Sequence, residues 1–189
     1  KKIPETGGIC IYEGRLRDLA HEVKREIPIA AVVGSIPRPN QAFWTLSALW
    51  AGWLWGRDAV EPYKIALRRR RYDWAWSVTA LYAMFSHLNE LLADGVPVFG
   101  VMPEPEAPFM TSALTAAQAA GFDLESVAIR TILDPAQILW KSGRKKQSSA
   151  MEIETIRQAM RGHLSARGEP AGYFHLHTAG LIALAEANA

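Results

Sequence analysis

Several side-chain groupings in this 189-residue chain are of types that do chemistry. The segment "SIPRPNQAFW", residues 35–44, sets a hydroxyl (Ser35), two prolines, Arg38, an asparagine and the aromatics Phe43 and Trp44 where an apolar run ends. Such a segment is a working catalytic loop, a worn-down one, or only the start of a helix. Glu104 and Glu106 in "PEPEAP" follow another apolar run. Carboxylates at the carboxyl end of a parallel strand are placed for acid–base work. More simply, they cap the next helix and favour its positive end. Arg68, Arg69, Arg70 and Arg71, followed by Tyr72, Trp74 and Trp76, combine phosphate-gripping charge with stacking groups. The plainer reading is a solvated basic turn before a helix whose aromatics enter the core. A second basic cluster, Lys141, Arg144, Lys145 and Lys146, reads as an exposed linker.

His175 and His177 form an HxH pair, with His163 and Glu169 nearby in sequence. On a strand this spacing would point both imidazoles one way, as metal ligation needs. Here the pair opens a helical segment, where positions i and i+2 diverge, so capping or packing is expected and metal binding is not. Cys10, the single cysteine, has no neighbouring histidine, lies in a strand-like run and reads as a small buried hydrophobe. One cysteine excludes an internal disulfide framework and a multi-cysteine zinc cluster, and fits a reducing cytoplasm.

The elements that must position these groups follow from hydrophobic periodicity. Ile9–Tyr12 is β-like, and an amphipathic helix is predicted over 16–26. "PIAAVVGSIP" has the compact apolar form of a buried parallel strand. Asn40 can cap the next helix, which carries Trp44, Leu46, Leu49, Trp50, Trp53 and Leu54. That helix is apolar nearly all round, which predicts burial on more than one side. Its tryptophans are core or interface anchors, and an apolar patch that docks a further lobe is a consistent use for them. A second long helix, with Asp73 as N-cap, ends at Gly95. "VPVFGVMP" is another buried strand, and a helix over 109–120 closes at Gly121. "FDLESVAIRTIL" and "AQILWKSG" are two further strands, joined by a turn at Asp134-Pro135 that is too short for a parallel crossover. The last strand must therefore run antiparallel. Two helical segments, the first starting at Met151 and the second at His175, form an antiparallel pair.

Composition allows this and little else. The chain is 49% hydrophobic, enough for a real core, with a net charge of +2 that is too small to demand a nucleic-acid partner. No apolar run is long enough for a membrane span, and no signal peptide is visible.

The strand and helix order resembles the latter half of a Rossmann-like S-adenosylmethionine-dependent methyltransferase. "IAAVVGSIPRPNQAFW" is similar to that family's fourth strand and catalytic loop, and "CIYEGRLRDL" to its third strand and the loop after it. "ADGVPVFGVMPE", "SALTAAQAAGFDLESVAIR" and "AQILWKSG" look like its fifth, sixth and seventh strands with the intervening helix. More narrowly, "FWTLSALWAGWLWG" continues the catalytic loop as in the large bacterial predicted adenine-specific DNA methylases. The resemblance covers residues 9–143. It implies an α/β fold with a partial, mixed sheet ending in an antiparallel strand pair and helices on both faces. The expected division is a partial methyltransferase-like domain over 1–146 and a helical hairpin over 147–189 packed on it.

Amino-methylating members carry Asp/Asn/Ser-Pro-Pro-aromatic at the loop. A polar side chain and a carbonyl there accept hydrogen bonds from the target amine, and the aromatic stacks on a flipped base. Ser35, Ile36, Pro37 and Arg38 take those four positions, so Ser35 and Pro37 fit while Ile36 replaces a proline and Arg38 the aromatic. Phe43 or Trp44 is then left to offer a base-stacking face, and Arg38 to meet phosphate or base. The glycine-rich turn that holds the methyl donor has no counterpart, since "ETGG" follows no strand. The expectation is a piece of a DNA-modification protein that binds no cofactor alone, with S-adenosylmethionine implied only for a complete parent. The alternative is a non-catalytic nucleic-acid-binding or protein-interaction module keeping only the fold. Expected partners are DNA, the rest of a larger parent, or a second copy along the open edge of the 32–35 strand, which the strand at Ile9–Tyr12 can slide over to cover.

Overall fold

The computed structural model describes residues 7–23, 27–38, 41–64, 74–131, 134–144 and 152–186. The elements are α1 (Leu16–Val23), β1 (Val32–Ser35), α2 (Gln41–Trp55), a 3₁₀ segment (Arg57–Tyr63), α3 (Trp74–Leu91), β2 (Pro97–Met102), α4 (Ala107–Ala119), β3 (Phe122–Ala128), β4 (Ala136–Ser142), α5 (Ile153–Arg167) and α6 (Tyr173–Glu186). The fold is α/β, with a four-stranded mixed sheet in the order β1-β2-β4-β3. β1 runs parallel to β2, Val32 opposite Val98 and Ser35 opposite Val101. β4 lies antiparallel between β2 and β3, as the short Asp134-Pro135 connection requires. The β3–β4 register jumps from Leu124–Trp140 to Ser126–Leu139. Glu125 is the extra residue of that bulge, and its carboxylate accepts from Lys141 Nζ at 2.9 Å.

One face of the sheet builds the core. Val98 and Met102 of β2 and Ala136, Ile138 and Trp140 of β4 alternate toward the helices and are buried. They meet Leu81 and Phe85 of α3 and Phe109, Met110, Ala113 and Leu114 of α4. Each large side chain buried here contributes about 1.5–3 kcal/mol. α4 is sealed because its inward positions are small: Ala113, Ala116 and Ala117 let it approach α3 and β3 closely. Phe85 packs its ring against Phe122 and, edge-on, against Trp140. Gly100 makes room for that indole. A Cβ there would sit 2.7 Å from Trp140 Cζ3 and 3.1 Å from Ile36 Cδ1.

Polar groups strap the ends of these elements. Asn89 Nδ2 on α3 donates to Ala120 O after α4 and to Gly143 O after β4, both at 3.0 Å. Ser142 Oγ donates to Ala93 O and accepts from Val96 N, fixing the α3–β2 turn onto β4. That turn passes through Gly95 at φ 86°, a left-handed conformation that glycine adopts without strain. α6 packs on α4 and β3, and α5 closes on α6, where Gly180 leaves space for Met160 and Ile156.

Five expectations are corrected. Ile9–Tyr12 forms no strand, and Ile9, Cys10 and Ile11 are exposed. The run has β-forming residues but no partner strand, and an unpaired strand does not hold in water. Cys10 is therefore a surface thiol, not a core side chain. β1 is not a buried strand: among the described residues its outer edge has no neighbour, and Val33 is 75% exposed. The described helices that build the core, α1, α3 and α4 with α6 beside them, occupy one face, not both. Phe99, Val101 and Leu139 point to the other face and stay outside the core cluster. Finally, α2 is not buried on several sides. Only Ala48 and Ala51 are covered, while Trp53 and Trp55 are 79% and 72% exposed. No helix among the described residues is long and apolar enough to cross a membrane. The proposed boundary near residue 146 and the Asn40 and Asp73 caps lie outside the described residues.

Candidate functional site

The loop after β1 leaves the sheet at the carboxyl end of the parallel pair. Ile36 N donates to Val101 O at 2.9 Å, extending the ladder one residue past Ser35. The Ile36 side chain turns inward, only 4% exposed, against Gly100 and Trp140. Ser35 and Pro37 on either side face solvent. The residue that departs from the proline pattern is thus a core anchor, seated by apolar burial. It fixes the loop at its middle and leaves its flanks available.

Arg38 is the second fixture. Its Nη1 donates to Glu104 and its Nη2 to Glu106, both from the loop after β2. The two ends of the planar guanidinium thus take one carboxylate each, binding the two loops together across the parallel pair. Glu104 sits at φ 48°, the one non-glycine positive φ among the described residues. A side chain held in that conformation is uncommon and costs about 1–3 kcal/mol. Glu106 occupies the N-cap position of α4 with extended backbone but makes no cap hydrogen bond. The helix-capping reading of these glutamates gives way here, because the guanidinium competes for both carboxylates. Pro108 serves the helix start instead, at a position where no amide donor is missed.

Beneath Ser35 and Ile36 lies an apolar cavity of about 220 Å³ between β1, β2, α1 and α3, lined by Leu16, Val32, Met84, Leu88 and Val98 among others. A larger hollow of about 430 Å³ lies where α3, α4 and α6 begin, bounded by Trp74, Pro108, Thr111, Tyr173 and His177. Trp74 is stacked on Phe109 with ring centroids 6.1 Å apart, which makes it a core aromatic of α3.

The other sequence candidates are not gathered at the loop. Phe43 and Trp44 fall in the first turn of α2, but their side chains lie outside the described residues, as do Arg68, Arg69, Arg70 and Arg71 and Lys145 and Lys146. Lys141 pairs with Glu125, and Arg144 with Asp94 at 3.4 Å, so these two basic groups face carboxylates. His177 rests against the Tyr173 ring at 5.4 Å, and His175 against Phe174 at 5.7 Å. His177 Nδ1 and His163 Nε2 are buried without hydrogen-bond partners, and Glu169 pairs with Arg167. Among the described residues no three His, Cys, Asp or Glu groups gather as a metal site.

The Arg38–Glu104–Glu106 cluster is what residue-by-residue reading of the sequence missed. Arg38 and the glutamates are 66 and 68 positions apart, and taken singly each suggests a separate role. The available signal was topological: loops that follow adjacent parallel strands emerge side by side. The arrangement gives a rigid turn that presents a hydroxyl, Ser35, beside a guanidinium already engaged by two carboxylates. No known family model, curated protein or solved structure matches the chain.

Proposed function

We propose that this chain is the target-loop half of a Rossmann-like methyltransferase belonging to a DNA-modification protein, and that it does not transfer methyl groups alone. One observation carries the reading. The Ser35–Arg38 turn leaves a strand at the carboxyl end of a parallel pair and is bound there to the loop after the neighbouring strand. Ligands of open α/β sheets are met at that end. Further support comes from the strands likened to the fourth, fifth, sixth and seventh of the family. They occupy one sheet, and the last two form an antiparallel pair. In this reading Ser35 and Pro37 lie beside an exocyclic amine, and Arg38, its fork taken by carboxylates, holds the loop in place instead of reaching for phosphate. The methyl donor is bound by residues of another segment.

A second reading has its own support. A guanidinium neutralised by two glutamates and an isoleucine committed to the core leave little chemistry in the loop, which suits a non-catalytic binding module. Calorimetric titration of S-adenosylhomocysteine into the longest natural polypeptide carrying this chain separates the two. The first reading expects saturable binding, and methyl transfer to an adenine-containing duplex that falls about tenfold or more in Arg38→Ala, a loss of ~1.4 kcal/mol in transition-state stabilisation. Absence of cofactor binding together with salt-sensitive DNA binding would replace it with the second.

A further inference from the structure

Neither reading rests on the outward face of α2, which the sequence offers as a docking patch. The 15-residue helix "QAFWTLSALWAGWLW" carries no charged side chain. Its covered side is small: Ala48 and Ala51 are buried, and Gly52 lies where a Cβ would come within 3.2 Å of Val60 on the 3₁₀ segment. On the opposite side Leu46, Leu49, Trp50, Trp53 and Leu54 are all more than half exposed. Their spacing, i, i+3, i+4, i+7, i+8, is the stripe by which one helix packs along another. Trp50 and Trp53 are set edge to face at 5.7 Å, already ordered for such a seam.

We infer that this stripe is a homodimer interface in which α2 packs antiparallel against α2 of a second copy. Three features select that occupant. The five stripe residues expose roughly 650 Å² per copy, about 1,300 Å² for two, which falls within the range of a standard stable interface and above the largest patch usual on a monomer. A seam without charge offers nothing for a charged partner to complement, whereas an identical uncharged face meets it with no like-charge cost, and antiparallel dipoles attract. A lipid surface is disfavoured because interfacial helices set a Lys/Arg-rich polar face opposite the apolar one, and the back of α2 is instead Ala and Gly packed on protein. The two-fold axis then falls near Trp50, bringing Leu46 toward Leu54 of the partner subunit. This inference stands independently of the methyl-transfer reading.

Sedimentation velocity over a concentration series tests it. The chain is expected to double in mass as concentration rises through the micromolar range, and the double variant Trp50→Glu, Trp53→Glu to remain monomeric with unchanged far-UV circular dichroism. Because Cys10 is exposed, a second test uses a Cys10→Ser background. There Trp50→Cys, at the axis, forms a disulfide-linked dimer on mild oxidation, and Gln158→Cys on α5 does not. If the double variant fails to fold, the cross-linking decides. A monomer at all concentrations, a dimer indifferent to the two glutamates, equal cross-linking at both cysteines, or Trp50- and Trp53-dependent binding to phosphatidylcholine–phosphatidylglycerol vesicles would each overturn it.

Discussion

Single residues divide the candidate loop into parts that hold and parts that are free. Ile36 and Arg38 are both fixed, one by burial and one by charge, and they bracket the exposed Pro37. The position that supports Ile36 is Gly100. A methyl group there meets Trp140 and Ile36 at once, and neither can retreat because both are held in the core. Gly100→Ala is therefore expected to cost about 1–3 kcal/mol, the usual range for overpacking, read as a lower urea midpoint with unchanged slope. An unchanged midpoint would mean that the indole can shift aside. The apolar character of the β2 and β4 runs marked them as strands without assigning Val98, Met102 and Ile138 to the inner side. It could not foretell Ile36, because a residue one step past a strand end takes its direction from what lies beneath it.

Elements differ in how far their surroundings were written into them. α4 is legible from "PFMTSALTAAQAAG": a proline at the start, alanines for close approach and a glycine at the close. Its sealed position follows from those residues. β3 and β4 are equally legible, since the Asp134-Pro135 turn forces antiparallel pairing. The same reasoning failed for Ile9–Tyr12 and for α2, because apolar residues state a demand for cover without stating that cover is present. Contacts between elements also include polar straps that no periodicity announces. Asn89 joins three elements through two carbonyls, so Asn89→Leu leaves both without that donor. The expected loss is about 1–3 kcal/mol in equilibrium unfolding, with faster amide exchange at the α4–β3 turn. A loss well under 0.5 kcal/mol would show that water replaces the amide.

At the scale of the molecule, the described helices load the sheet on one side, and among the described residues β1 has an open edge and Val33, Phe99 and Leu139 form a row across the other face. An edge strand with an exposed apolar side chain is a template for further strands. Val33→Lys places a charge there without touching the core. It is expected to slow concentration-dependent precipitation while changing stability by no more than about 0.5 kcal/mol. Equal precipitation would place the aggregation-prone surface elsewhere. The distribution of indoles has a further use. Trp140 is 1% exposed, whereas Trp53 and Trp55 project into solvent. Their emission therefore separates into a blue, quencher-resistant component reporting the interior and a red, acrylamide-sensitive one reporting α2. Anything that seats on that helix will shift the second and leave the first in place, so the unlabelled chain carries an optical probe of its own occupancy.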